Sequence, residues 1–229
     1  MLLEICANSY QSAINAQEAG AHRIELCSEL SIGGVTPSYG LLKLVLSTLR
    51  LPVFVLIRPR SGDFIYTKSE FDTMKTDIKL CKSLGARGIV SGVLTKERTI
   101  DLLRTQELIE CAGSMEFTFH RAFDIVKDPF DALEQLIEMG AHRILTSGQR
   151  ERAEEGLELL EALVDRAKGR IGIMAGSGVS AENVSKFRAI GITEVHSSAS
   201  APIEQAEGFF FTPQTVSDLP TIKSLIHAL

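Results

Sequence analysis

The sequence predicts an α/β protein built as a single (β/α)8 TIM barrel, and three observations support this fold class. The pentapeptide GAHRI occurs at residues 20–24 and again at 140–144. Each copy follows a helix-periodic run and precedes a short apolar run, so its glycine ends a helix and a strand begins. Eight such strand-like runs alternate with helical runs. The length of 229 residues is typical of one eight-stranded barrel.

The strands of this barrel are expected to begin near residues 2, 23, 53, 88, 116, 143, 171 and 193. Between them, Thr67 and Glu70 form a capping box that opens a helix. Thr36 and Asp128 each precede a proline, and Ser180 precedes a helical run, so all three are candidate N-caps. An open, doubly wound sheet uses the same alternation with fewer strands, and the count of eight therefore favours closure.

One domain is expected over residues 1–229. The barrel occupies residues 1–200, and residues 201–229 form a C-terminal loop with a short helix. The apolar segment GFFF at 208–211 is expected to pack on the barrel or on another subunit.

Composition limits the partners that this chain is expected to have. The net charge of −5 and the pI of about 5.6 argue against a nucleic-acid surface built on positive charge. No apolar run is long enough to span a membrane. No secretory signal follows Met1, and the four cysteines lack C-x-x-C spacing, which indicates reduced thiols. These features predict a cytoplasmic protein without nucleic-acid or membrane partners.

Polar residues alternate with apolar ones in the predicted strands. In the first strand, Leu3 and Ile5 alternate with Glu4 and Cys6. Because the apolar set must face the helices, the ionisable set is expected to face the barrel interior. Buried charges need partners. The expected network pairs Glu4, Glu25 and Glu194 with Arg23, Arg58 and Arg143.

Residues at the strand ends are expected to meet at the carboxyl-terminal mouth, where barrel proteins place their functional sites. This predicted mouth set comprises Cys6, Glu25, Cys27, Arg58, Arg60, His120, Arg121, Asp124, Ser147 and His196.

Part of the mouth set predicts an anion site. Gly176 and Gly178 follow the seventh strand, where backbone N–H groups of barrels bind phosphate or carboxylate groups. Arg58 and Arg60 share a parity and could clamp the same anion, although Arg58 could instead bridge to Glu25 or Glu4. The remaining candidate anion-binding residues are Arg121, Ser147 and Gly148.

Another part predicts acid–base chemistry. His120 with Asp124 and Glu25 could act as general acid and base on a small phosphorylated or carboxylated metabolite, in an isomerase or lyase. In the alternative, His120 is a buried histidine bonded to an interior glutamate.

Cys6 and Cys27 end neighbouring strands on the same parity, so their sulfurs can approach each other. Paired thiolates suit a soft ion such as Cu(I). Buried cysteines also occur simply as small apolar residues.

Five motifs occur in order along the sequence, namely ICANSYQSAINAQEAGAHRIELCSELSIGGVTPSYG, IRPRSGDFIYTKSE, TFHRAFD, RILTSG and MAGSGVSAENV. Together they resemble the motifs of the CutC family of copper homeostasis proteins. The resemblance implies a TIM barrel, a cytoplasmic location, homo-oligomeric assembly and Cu(I) bound at Cys6 and Cys27. The family's shared mouth residues correspond to Glu25, Arg58, Arg60, His120, Arg121, Asp124, Ser147 and Gly176.

Overall fold

The computed structural model describes residues 1–204 and 212–229 and contains a closed barrel of eight parallel strands in chain order. The barrel closes where β1 pairs with β8. The predicted fold class is therefore confirmed, and each strand begins within one residue of its predicted start. The strands are β1 Leu2–Ala7, β2 Arg23–Leu26, β3 Val53–Leu56, β4 Gly88–Ser91, β5 Glu116–Phe119, β6 Arg143–Thr146, β7 Gly172–Gly176 and β8 Glu194–Ser197.

Helices cover the outside of the barrel. They are α1 Tyr10–Ala19, α2 Tyr39–Thr48, α3 Lys68–Ser83, α4 Leu102–Ala112, α5 Pro129–Glu138, α6 Leu157–Ala167, α7 Val184–Ala189 and α8 Leu219–Ala228.

Two of the four predicted helix caps are correct. Thr67 forms the capping box of α3, and Asp128 caps α5. Thr36 is not a cap, because its hydroxyl accepts a hydrogen bond from the N–H of Arg58, and Ser38 caps α2 instead. The prediction that Ser180 caps a helix is also wrong, since α7 begins four residues after it.

The repeated GAHRI segments make the same turn twice. Gly20 and Gly140 end α1 and α5 with φ angles of +89° and +78°, which favour glycine because it has no Cβ. His22 and His142 then each accept, through Nδ1, a hydrogen bond from a backbone N–H of β1 or β5. The repeat therefore satisfies backbone groups at the amino-terminal face of the barrel.

Successive side chains along a strand point alternately toward the helices and into the barrel, as predicted. Leu3 and Ile5 belong to the core between barrel and helices. Cys6 and Cys27 instead pack with Phe54 inside the barrel.

A charged layer fills the lower half of the interior. The guanidinium groups of Arg23 and Arg143 both contact Glu194, and both lie about 5 Å from the centre of the Phe54 ring. Arg23 also pairs with Glu4. Compensation of this kind is what buried charges require. Arg143 reaches Glu116 as well.

Arg58 lies outside this layer, contrary to the predicted network. Its Nη atoms donate to the carbonyls of Ile32, Gly34 and Gly62 at 2.8–3.1 Å. These loop carbonyls turn the guanidinium away from Glu4 and Glu25.

The C-terminal region adds a feature that sequence reasoning missed. Strands β9 Ser200–Pro202 and β10 Thr215–Ser217 pair antiparallel before α8. Segment 208–211, predicted to pack on the barrel or on another subunit, lies outside the described residues. Among those residues, no helix combines the length and hydrophobicity needed to cross a membrane.

Candidate functional site

A cavity of about 700 Å³ opens at the carboxyl-terminal mouth of the barrel. Eight of the twelve predicted site residues line it, namely Cys6, Glu25, Cys27, Arg58, His120, Arg121, Asp124 and Gly178. Arg60, Ser147, Gly148 and Gly176 do not line it.

Two thiols meet at the base of the cavity. The Sγ atoms of Cys6 and Cys27 lie 3.6 Å apart, and both residues are buried. The hydrogen bond between them, together with burial, raises the pKa of the Cys6 thiol well above its usual range. The Cys6 side chain is therefore a neutral thiol until something displaces its proton.

His196 lies beside these thiols. Its Nδ1 atom is 2.8 Å from Glu4 Oε1, and its Nε2 atom is 3.5 Å from Glu25 Oε2. Ligand atoms of Cys6, Glu25 and His196 all lie within 4.8 Å of one another, as metal ligands do. We refer to Cys6, Cys27, Glu25 and His196 as the thiol–imidazole cluster.

Electrostatics distinguish the two glutamates that flank His196. Burial acts to raise the pKa of Glu4, but hydrogen bonds from His196 and the charge of Arg23 lower it to about 2. Burial raises the pKa of Glu25 to about 7. Burial also acts to lower the pKa of His196, but Cys6, Glu4 and Glu25 together raise it well above its usual range. Glu4 is thus a permanent anion behind His196, whereas Glu25 can change its charge near neutral pH.

His120 pairs with neither of its predicted partners. Its Nδ1 atom accepts the N–H of Ala122, and its Nε2 atom has no hydrogen-bond partner within the described residues. Burial and the charge of Arg58 lower its pKa to about 3. The predicted histidine–glutamate contact occurs instead at His196.

Asp124 anchors the loop after β6. It accepts hydrogen bonds from the Arg121 guanidinium, the Thr146 hydroxyl, the hydroxyl and N–H of Ser147, and the N–H of Gln149. Its oxygens are therefore engaged by protein donors, and Arg121 is neutralised by the same carboxylate.

The predicted clamp of Arg58 and Arg60 on one anion is not formed. Arg60 contacts Glu70 at 2.6 Å and Asp63 at 3.0 Å, and its guanidinium lies over the Tyr66 ring. These contacts bind the loop after β3 to the start of α3, so Arg60 is drawn away from the cavity.

Two of the glycines predicted for the anion site lie where the chain packs closely against its neighbours. A Cβ on Gly148 would lie 2.4 Å from the carbonyl oxygen of Gly156, and one on Gly176 would lie 2.5 Å from the side chain of Leu145. Both glycines thus allow close packing behind the cavity wall.

Comparison with known proteins identifies the family. The family model described as the CutC family matches residues 1–201. The chain belongs to the CutC family. A CutC family protein from Photorhabdus laumondii is 52% identical over 198 residues, which cover 86% of this chain and 79% of the relative.

Two further relatives carry copper homeostasis in their names. The human copper homeostasis protein cutC homolog is 48% identical over 199 residues, covering 86% of this chain and 73% of the relative. The crystal structure of a copper homeostasis protein CutC of Streptococcus agalactiae superposes with a TM-score of 0.83 at 34% identity, covering 86% of this chain and 98% of that one. Membership of the copper homeostasis family CutC is thereby established.

Similarity to other barrels shows the fold alone. Thiamine phosphate pyrophosphorylase from Pyrococcus furiosus has a TM-score of 0.64 at 14% identity, covering 99% of this chain and 94% of that one. At this identity the shared feature is the (β/α)8 barrel.

Proposed function

We propose that this chain acts in copper homeostasis by binding Cu(I) in the thiol–imidazole cluster. The observation that carries the proposal is the 3.6 Å contact between Cys6 and Cys27 beside His196. Thiolates and imidazole are ligands that soft copper ions prefer.

The separation of the two sulfurs supports a site with a third ligand. With metal–sulfur bonds of about 2.3 Å, as in zinc thiolates, a linear arrangement needs sulfurs about 4.6 Å apart. The observed distance is 1 Å shorter, which favours a bent arrangement completed by His196. Glu25 lies on the same side and would form the outer wall of the site.

Glu4 would orient the imidazole ligand. Metal-binding histidines commonly donate the N–H of their other ring nitrogen to a carboxylate, which fixes the ring and raises its basicity. Glu4 Oε1 would accept the N–H of His196 Nδ1 in this way. The Nε2 atom of His196 is then left on the side of Glu25. Binding of Cu(I) would release protons, because both thiols must ionise.

The cytoplasm suits this site, because a reducing compartment keeps adjacent thiols free of a disulfide. Homo-oligomeric assembly stays a prediction of the family resemblance. The isomerase or lyase alternative gains no support from the relatives, since the aldolase QR15, which shares the barrel, is only 18% identical.

An anaerobic competition titration with a chromophoric Cu(I) chelator tests the proposal. The wild type should withdraw one Cu(I) ion per chain from the chelator, and a Cys6→Ser/Cys27→Ser variant should lose most of this affinity. Cys111→Ser is the matched control, because Cys111 lies on α4 away from the cavity. Equal affinity in the wild type and the double variant would refute the cysteine site.

A further inference from the structure

The mouth cavity is larger than a single copper ion needs. Its volume of about 700 Å³ lies in the range of small-molecule pockets, roughly 300–1,000 Å³. The thiol–imidazole cluster occupies the β1, β2 and β8 side of the base. The loops after β7 and β8 line another part of the wall with residues 177–180 and 197–200.

These two loops contain free backbone donors. The N–H groups of Gly178, Val179 and Ser198 make no hydrogen bond to any other group of the described residues. Ser177 and Gly178 have successive positive φ angles of +86° and +72°. Successive N–H groups in such turns form concave anion sites, and all three residues with free donors line the cavity.

A cation without a carboxylate partner lies against the same loop. The guanidinium group of Arg152 packs on Gly178, where an added Cβ would be 3.1 Å from its Cζ, Nε and Nη2 atoms. Within the described ranges, no carboxylate lies within 4.0 Å of Arg152. The loop after β7 therefore offers free N–H groups to the cavity, and an exposed guanidinium from the loop after β6 packs on it from outside the cavity lining.

Another unsatisfied donor is buried in the wall of the cavity, at the end of β5. His120 is 5% exposed and lines the cavity, and its Nε2 atom has no partner. Because Nδ1 accepts the N–H of Ala122, the ring proton of the neutral side chain resides on Nε2. Buried hydrogen-bond donors are nearly always paired. A ligand oxygen would supply the missing acceptor for the Nε2–H group of His120.

We infer that the mouth cavity binds a small organic phosphate. The phosphate group lies on the N–H groups of Gly178, Val179 and Ser198 beside Arg152, and an oxygen at the other end of the ligand accepts from His120 Nε2. Three N–H donors and a guanidinium match the oxygens of a phosphate better than the two oxygens of a carboxylate. None of these groups belongs to the thiol–imidazole cluster, so the site is independent of the proposed copper function.

Calorimetric titrations of the full-length apo protein test this inference. Glycerol 3-phosphate and dihydroxyacetone phosphate are the organic probes, inorganic phosphate tests the anion subsite alone, and glycerol is the negative control. We expect the organic phosphates to bind more tightly than inorganic phosphate, because only they reach His120. The Cys6→Ser/Cys27→Ser variant should bind them as the wild type does, which separates this result from the copper proposal.

Two variants locate the ligand. Arg152→Glu should weaken the binding of every phosphate by about tenfold or more. Arg150→Glu makes the same charge change on the same loop and should leave binding unchanged. His120→Ala should weaken the organic phosphates and leave inorganic phosphate unaffected. The absence of phosphate binding at millimolar concentrations, or equal binding by the wild type and Arg152→Glu, would overturn the inference.

Discussion

Nδ1 of His196 lies 2.8 Å from Oε1 of Glu4, a carboxylate that is completely buried. Glu4 also pairs with Arg23 in the charged layer below. The same side chain therefore belongs both to the structural network and to the candidate metal site. Through it, the charged interior of the barrel fixes the orientation of the imidazole above.

Glu4→Gln should weaken Cu(I) binding by about 10- to 100-fold, the usual effect of losing a carboxylate that orients a ligand histidine. Affinity is measured by chelator competition at constant pH. Glu116→Gln is the control, because Glu116 contacts Arg143 and Arg87 and not His196. If both variants bind Cu(I) as tightly as the wild type, Glu4 does not position a copper ligand.

The burial of His120 should contribute a loss of stability as the pH decreases from 7 to 5, opposite in sign to the contribution of Glu25, whose pKa is raised to about 7. Burial lowers the pKa of His120 in the folded chain to about 3, against a usual value of 6.5. Between these values the unfolded chain binds more protons, so acid favours unfolding, by about 2 kcal/mol at pH 5 for this residue. The free energy of unfolding in urea at pH 7 and pH 5 is the measurement.

His120→Gln should reduce this loss of stability between pH 7 and pH 5 by a similar amount. His227→Gln replaces an exposed histidine on α8 and should not change it. An identical pH dependence in the wild type and His120→Gln would contradict the burial of a neutral imidazole.

Gly148→Ala should destabilise the fold much more than Gly140→Ala. Both glycines have positive φ angles, +68° and +78°, so each substitution carries about 1–2 kcal/mol of backbone strain. A Cβ on Gly148 would also collide with the Gly156 carbonyl, whereas one on Gly140 would meet open space. Overpacking adds about 1–3 kcal/mol, and thermal unfolding of both variants measures the difference. Equal melting temperatures would contradict the close approach of the Gly156 carbonyl to Gly148.

The fold could be predicted from the sequence because local signals repeat eight times and agree with one another. Glycine stops, helix caps and apolar runs each depend on a few neighbouring residues, and the strand starts follow from them. One failure, by contrast, comes from a contact that is not local. Thr36 was predicted to cap a helix, but its hydroxyl bonds the N–H of Arg58, a contact set by packing between loops.

The mouth cavity could be predicted from strand parity, but its pairings could not. Parity places Cys6 and Cys27 on the same face, and the structure confirms their contact. Which carboxylate meets which histidine depends on the register between β1 and β8, where Glu4 faces His196. His196 was therefore placed at the mouth without a role. Arg152 lies in the loop after β6, beyond the strand end, and has no sequence signal.

X-ray absorption at the copper K-edge tests the central claim most directly. For the wild type loaded anaerobically with one Cu(I) ion per chain, we expect two sulfur neighbours and one imidazole nitrogen at the metal. Loss of the sulfur neighbours in Cys6→Ser/Cys27→Ser, with retention in Cys111→Ser, would assign them to the adjacent thiols. A spectrum with only nitrogen and oxygen neighbours, or sulfur neighbours unchanged by the double substitution, would contradict Cu(I) binding at Cys6 and Cys27.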